Sequence, residues 1–384
     1  RPLSFSNNTA IFPFASKEMA KRVEKLANFE AFMRILLLPL SGLYHIILKI
    51  RHVLFDGHIL PSKRFDHPVI CIGNLCLGGT GKTPHTEYLA ELLSQHYRTC
   101  IVSRGYGRRS KGFVLAHAGS SYEEIGDEPL QYVRKFPTVQ VAVDADRAEA
   151  VQRLLDSNTP PQVFLLDDAF QHRSITAGWN ILLTEYGHLY VDDRLIPAGS
   201  LRDIRSAAHR ADMIIVTKSP QPISDGEKKR IAAHLKLQPQ QRLFFSHLHY
   251  GDLVPINEKA KTTEAGKANG MVAFCGIARP EHFTNHLKSI CPHVAAYCFH
   301  DHHPYSENDI RKLLHAFDTT ASHDKIMVTT EKDAMRLIKS PYFCLFNSVP
   351  LFTLPVEVGV DDNEMFHSEI NLYVRKYFSH HAIH

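Results

Sequence analysis

The sequence predicts an α/β fold, with a doubly wound, mainly parallel sheet followed by a smaller α/β unit. Three observations carry that expectation. Short apolar runs such as "HPVICIGN" (67–74) and "QVFLLDD" (162–168) are nearly continuous, as in strands buried on both faces. Stretches with helical spacing alternate with them, the pattern of strand–helix–strand crossovers. At 384 residues and 44% apolar content, the chain is long enough for two cores.

The elements follow in chain order. Residues 1–28, beginning with Arg1, read as an extension outside the fold, disordered or not native to it. They lack the layout of a cleaved signal peptide. Residues 29–55 contain "ILLLPLSGLYHIILKI" (35–50). That run is too short, and too interrupted by Pro39, His45 and Lys49, for a membrane span. Its flanks, Arg34, Lys49, Arg51 and His52, suit a helix lying on a membrane face. A core helix packed on the next domain is the alternative. Residues 56–240 carry the main sheet. Strand 67–74 leads into a glycine-rich loop and then a helix, with Tyr88, Leu89, Leu92 and Leu93 near helical spacing. Strands follow at 98–107 and 138–147, a helix at 148–155, and strands at 162–168, "NILLTEY" and "ADMIIVTK". Such sheets bind ligands at the carboxyl ends of their strands. Residues 241–256 read as an extended linker. Residues 257–384 read as the smaller unit, with strands near "MVAFC", "AAYCF", "KIMVTT" and "LFTLPV".

Composition narrows the function classes. Basic and acidic residues number 44 and 40, which gives no general argument for nucleic acid. Seven cysteines stand singly, without a CxxC pair. That usage fits a reducing compartment better than a disulfide framework.

The strongest motif is "GNLCLGGTGKTP" (73–84). The phosphate-gripping loop G-x-x-x-x-G-K-[ST] ends here in Gly81, Lys82 and Thr83. Its first glycine is replaced by Cys76, and Gly78 and Gly79, next to Thr80, supply flexibility instead. Such a loop turns backbone N–H groups toward phosphate oxygens at a helix N-terminus. Lys82 would reach the terminal phosphates and the Thr83 hydroxyl would hold Mg²⁺; Pro84 fits a first helical turn. A purely structural glycine turn is the competing reading. It loses ground because "FLLDD" places Asp167 and Asp168 at the end of a strand downstream, where a carboxylate serves magnesium.

Polar residues elsewhere bear on the acceptor. "SRGYGRRSKG" puts Arg104, Arg108, Arg109 and Lys111 past the end of a strand. A basic, glycine-rich loop there suits an anionic substrate, and a solvated loop is the plain alternative. "IGDEP" offers Asp127 and Glu128 before a helix, as a general base or as a helix cap. "DDAFQH" adds Gln171 and His172, and "LIPAGSLRD" adds Arg202 and Asp203. "FHDHHPY" (299–305) gathers three histidines and an aspartate. It admits a metal cluster, a catalytic or substrate-binding histidine, or a surface loop.

Together these blocks, with "SRGYGR", "GDEP", "LLDDAFQHR", "LIPAGSLRD", "VTK", "FCGIARPEHF", "DHHPY" and "TTEKDAMRL", resemble the tetraacyldisaccharide 4'-kinase family. They occur in family order from about residue 29 to 355. The resemblance implies a P-loop NTPase-like domain joined by a two-stranded linker to a smaller C-terminal α/β domain. It implies transfer of the ATP γ-phosphate, with Mg²⁺, to the 4'-hydroxyl of a lipid A precursor disaccharide. It also implies attachment to the cytoplasmic face of the bacterial inner membrane through the N-terminal helix, with no obligate protein partner. Carried over by residue, Asp127 matches the base and His302 its assistant. Lys82 and Thr83 match the phosphate and magnesium positions, Asp167 and Asp168 the carboxylates near the metal. Arg104, Arg147, Gln171, His172 and Arg202 match positions around sugar and phosphate. "LRDI" departs from the family's L-R-E-P, so Asp203 has a shorter reach toward any metal or water than glutamate. Cys76 departs from a small hydroxyl residue. A kinase of a soluble sugar or nucleoside, or a P-loop switch ATPase with no acceptor, remain the rival readings.

Overall fold

The structure, a computed structural model, describes residues 33 and 35–379. The expectations for 1–28 and for the first residues of 29–55 lie outside the described residues. The helices are α1 (Leu38–Asp56), α2 (Lys82–Ser94), α3 (Asp127–Lys135), α4 (Arg147–Leu155), α5 (Asp225–Leu235), α6 (Glu281–Ile290), α7 (Glu307–Thr319), α8 (Glu331–Leu337) and α9 (Asn363–Ser379). The strands of the large sheet, in chain order, are β1 (Val69–Asn74), β2 (Thr99–Ser103), β3 (Val114–Leu115), β4 (Gln140–Val143), β5 (Val163–Asp167), β6 (Trp179–Glu185), β7 (Met213–Thr217) and β8 (Arg242–Tyr250). The second unit has β9 (Val254–Pro255), β10 (Gly270–Cys275), β11 (His293–Cys298), β12 (Lys325–Thr330) and β13 (Leu351–Leu354), after which β14 (Val356–Val360) returns to the first sheet.

The large sheet has nine strands in the order β14-β8-β7-β6-β1-β5-β2-β4-β3. Its seven central strands are parallel; β3 and β14 close the edges antiparallel. From β1 the chain works outward on one side to β4, comes back to insert β5, then builds β6 to β8 on the other side. Its direction reverses beside β1, and ligands sit at that switch point. Side-chain alternation splits each strand between two cores. Val69 and Cys71 face α4, α5 and Leu48 of α1. Ile70 and Ile72 face Leu89, Ala90 and Leu93 of α2, Tyr132 of α3, and Phe366, Ile370 and Val374 of α9.

The second sheet, β9-β13-β12-β10-β11, is parallel except for β9 and has its own core on both faces. The expected linker is one continuous strand. Its first half, Arg242–Phe245, extends the large sheet beside β7. Its second half pairs antiparallel with β14, Ser246 opposite Val360 through Tyr250 opposite Val356. Two strands therefore cross between the units. The last helix departs from the 257–384 boundary. Its apolar face packs with β1, and the Val69 N–H donates to the Tyr373 hydroxyl, which donates in turn to the Val69 carbonyl, both at 3.0 Å. Sequence order alone assigns α9 to the second unit, and its apolar stripe assigns it to the first.

Helix α1 covers the third side of the site. Ser41, Leu48 and His52 face inward and are buried. Leu43, Ile46, Ile47, Ile50 and Val53 face outward, each more than half exposed. Among the described residues no helix is long and apolar enough to cross a membrane.

Candidate active site

Beyond β1 the chain turns through Leu75–Gly81 and enters α2. The loop is held from inside by the Asn74 amide, which donates to the Thr80 hydroxyl at 2.7 Å. Gly81 precedes the helix at φ +82°, a left-handed conformation that costs glycine little. No side chain caps α2, so its first N–H groups remain available to an anion. Cys76 forms an antiparallel bridge with Leu201 instead of a left-handed turn, whereas Gly78 and Gly79 both have positive φ. The glycine missing from position 76 is thus replaced in conformation two residues later.

Above the loop lies a cavity of about 1060 Å³ between the two units. Its wall includes Gly78 to Thr83, Arg104, Arg147, Asp168, Gln171, His172 and Arg202 from the first unit, and His302 and Lys332 from the second. All six nucleotide-loop residues and all five substrate candidates expected from sequence therefore meet in one space. Lys82 Nζ stands 3.8 Å from Asp168 Oδ1. Asp168 also receives both terminal nitrogens of Arg202, one at 3.0 Å, and Arg202 reaches Asn74 Oδ1 at 2.6 Å. Burial opposes ionisation of Asp168, but Lys82, Arg202 and Arg147 outweigh it and lower its pKa. Asp167, at the end of β5, accepts from the Ser103 and Thr86 hydroxyls at 3.2 and 3.4 Å. Burial, with Glu128 and Asp168 nearby, raises it to about 7.

Asp127 starts α3 and is buried, next to Glu128, which lines the cavity. Its Oδ2 lies 2.9 Å from His302 Nδ1 and 3.3 Å from an Arg336 nitrogen, both from the second unit. Burial works against its charge, but the His302 bond and the charges of Lys332, His302 and Arg336 prevail, lowering its pKa to about 2. His302 and Asp168 are both non-glycine residues at positive φ (+57° and +48°), an arrangement that surrounding contacts must hold in place. The histidine-rich loop splits up: His302 turns to Asp127, and His303 to Asp309 at 3.0 Å. Among the described residues no group of three His, Cys, Asp or Glu side chains is arranged to hold a metal.

Asp203 does not join the cavity. It is fully buried, and its Oδ1 lies 2.6 Å from His52 Nε2 while its Oδ2 lies 3.4 Å from Arg210. The short aspartate chain anchors α1, and its carboxylate is engaged by His52 and Arg210 rather than presented to the cavity. Neighbouring bonds do the same: Tyr44 donates to the Arg202 carbonyl at 3.0 Å, and Arg51 to the Gln171 carbonyl at 2.8 Å.

Two polar residues at the site, Lys332 and Asp333, were not singled out by sequence reasoning, and Glu128 was read only as a base or a helix cap. Glu128 accepts from the Thr83 hydroxyl at 3.3 Å. Lys332 bridges Glu128, at 3.1 Å, to the His302 loop. Asp333 is buried and holds Gly276 N–H and Tyr305. Lys332 and Asp333 both belong to "TTEKDAMRL", whose polar residues open a helix and read as ordinary first-turn charges. Three buried atoms of cavity residues, Gln171 Oε1, Arg147 Nε and Arg202 Nε, have no hydrogen-bond partner in the protein.

The chain is similar to known proteins over most of its length. The family model described as tetraacyldisaccharide-1-P 4'-kinase (LpxK) matches residues 33–375. The tetraacyldisaccharide 4'-kinase of Flavobacterium johnsoniae is 43% identical over 346 residues, covering 90% of this chain and 98% of that protein. That of Bacteroides thetaiotaomicron is 41% identical over 353 residues, covering 88% and 93%. The crystal structure of "apo" form LpxK from Aquifex aeolicus in complex with ATP superposes with a TM-score of 0.68 at 31% identity, over 89% of this chain and 99% of that one. With a family match over most of its length and relatives this close, the chain belongs to the tetraacyldisaccharide-1-phosphate 4'-kinase family.

Proposed function

We propose that the protein transfers the γ-phosphate of ATP to the 4'-hydroxyl of a tetraacylated glucosamine disaccharide 1-phosphate, yielding lipid IVA in lipid A biosynthesis. One observation supports it above the others. Asp127 is paired with His302 from the opposite unit, and His302 and the neighbouring Glu128 line the same cavity as Lys82 and the glycine loop. A phosphate-gripping loop alone serves switches and motors as well. A buried base facing it serves a hydroxyl acceptor.

The residues divide the work. The uncapped α2 N-terminus and Lys82 bind the phosphates. Thr83, with Asp167 and Asp168, suits Mg²⁺, a hard cation that keeps several water and phosphate oxygens as ligands and so needs few from the protein. Bound there, the ion would neutralise charge on the transferred group. Asp127 takes the proton of the attacking hydroxyl, and His302 orients its carboxylate. Arg104, Arg147, Gln171, His172 and Arg202, all on the cavity wall, hold sugar and phosphate. The outward apolar face of α1, with Lys49 exposed beside it, docks at the cytoplasmic face of the inner membrane, where the acyl chains reside. Closure of the second unit excludes water from the reacting groups.

Incubation with γ-labelled ATP and the disaccharide precursor tests the reading. Label is expected in the lipid, and Lys82→Ala abolishes it. Release of phosphate with no labelled lipid at any protein concentration would show a switch ATPase instead.

A further inference from the structure

The block "FCGIARPEHF" brings the second unit onto the phosphate loop. Its Ala278 and Arg279 join β10 to α6 and line the cavity. A Cβ built on Gly78 would meet Ala278 Cβ at 3.0 Å, and one built on Gly79 would meet Arg279 Cγ and Nε at 3.0 Å. The two loop glycines that make up for Cys76 are therefore also the places where the second unit touches the loop. The stem of Arg279 lies against Gly79, which sets the guanidinium beside a loop whose N–H groups turn toward phosphate oxygens. Past the stem, Nε stands 3.1 Å from Glu185 Oε2, at the end of β6. Glu185 also holds Lys218 Nζ at 3.2 Å and lies 3.8 Å from His282 Nε2.

We propose that Arg279 is a phosphate-contacting residue supplied by the second unit: its guanidinium pairs with the phosphate chain of ATP seated on the glycine loop, so the approach of the two units tightens nucleotide binding. A guanidinium carries five N–H donors and no acceptor. Glu185 takes the Nε side, and among the described residues the two terminal nitrogens make no hydrogen bond to protein. The side chain stays 37% exposed on the cavity wall. Burial opposes the charge of Glu185, but His282, Lys218 and Arg279 outweigh it and hold its pKa below the usual carboxylate value. Lys218 and Arg279 thus share one carboxylate, and the corner keeps an unbalanced positive charge beside the loop. A clasp between Glu185 and a single cation needs no arginine, since Lys218 already supplies that cation from the same unit. Arg279 is the surplus charge, it comes from the opposite unit, and its planar fork suits phosphate oxygens.

This inference rests on the proposed use of ATP, and its test needs no acceptor. Titration calorimetry of the full chain with ATP comes first; a wild-type protein that does not bind ATP would sink both this inference and the kinase reading. Failure of Arg279 alone shows only in the variants. Arg279→Gln keeps a stem over Gly79 and loses the charge. It is expected to bind ATP about 10- to 100-fold more weakly, with little change in the melting temperature of the free protein. Arg279→Lys, which keeps the charge without the fork, is expected to recover part of that loss. Glu185→Gln, which keeps an acceptor for Nε, is expected to cost less than about threefold. A loss below about tenfold in Arg279→Gln overturns the proposal. Losses of equal size in Arg279→Gln and Glu185→Gln overturn it too, because they mark a clasp between the units. Should the variants fail to fold, the unmodified protein decides. ATP is expected to shield Arg279 from phenylglyoxal, as located by mass spectrometry, and equal modification with and without ATP refutes the contact.

Discussion

Asp127 accepts a bond from a residue 175 positions away, and that separation governs which parts of the site could be read from the chain. Asp127→Asn keeps the size and the His302 contact but removes the basic oxygen. Turnover is expected to fall by on the order of 10² to 10⁴, with ATP affinity unchanged, as measured by steady-state kinetics and titration calorimetry. Loss of nucleotide binding in step with turnover would point to a structural role for the carboxylate. The phosphate loop was legible because its chemistry is local: Gly78 to Thr83 are consecutive, and backbone conformation does the work. Asp167 and Asp168 were legible as carboxylates ending an apolar strand. The pairing of Asp203 was not legible, because its partner, His52, lies 151 residues earlier on a helix read for its apolar character. Lys332 stayed hidden because a lysine in a helical first turn carries no local sign that three acidic or imidazole groups converge on it.

The inner face of helix α1 is a core contact, as the alternative reading of its segment expected, and its outer face is exposed. Truncation through residue 55 would remove Ser41, which donates to the Leu195 carbonyl, and His52, which holds Asp203. Damage to the fold would then mimic membrane release. Ile46→Glu with Ile50→Glu touches only the exposed face. This double variant is expected to shift the protein from the vesicle pellet to the supernatant by about tenfold while keeping its melting temperature. Unaltered sedimentation would assign attachment to another surface. Helices α2 and α3 are joined through buried Glu87, which accepts from Gln131 at 2.7 Å and from Lys135 at 2.8 Å. Burial outweighs Lys135 and raises Glu87 from 4.5 to about 7. Below 4.5 the carboxyl is protonated both folded and unfolded. Between 4.5 and 7 only the folded form keeps the proton, so stability falls as pH rises through that window, by on the order of 3 kcal/mol at the top. Glu87→Gln should flatten this slope in denaturant titrations at pH 5 and pH 8; an identical slope would mean that Glu87 titrates normally.

At the scale of the molecule, two units meet over a small apolar patch in which Ala334 and Met335 of α8 pack on Ile125, Leu130 and Val143. Around it stand Arg336 against Asp127 at 3.3 Å and Lys339 against the carbonyls of Gly119 and Ser120 at 2.6 Å. Ala334 is wholly buried there, so Ala334→Phe should wedge the units apart at a cost of about 1–3 kcal/mol. Turnover is expected to drop about tenfold or more, with small-angle scattering reporting a larger radius and the P-loop still binding ATP. Full activity at wild-type compactness would show that the patch tolerates the ring. The two-sheet architecture was readable from alternating apolar runs, since each strand declares itself within a few residues. The ownership of α9 was not, because an amphipathic stripe names a need for a partner without naming which one. That helix has a consequence for biogenesis. Tyr373 satisfies both backbone groups of Val69, at the start of the phosphate-loop strand, across 304 residues of chain. A ribosome making this protein must therefore add 304 residues after Val69 before that end of the strand is sealed. During that interval Ile70 and Ile72 lack the cover of Phe366 and Ile370, and the nascent chain presents a sticky flank that a holding chaperone would recognise.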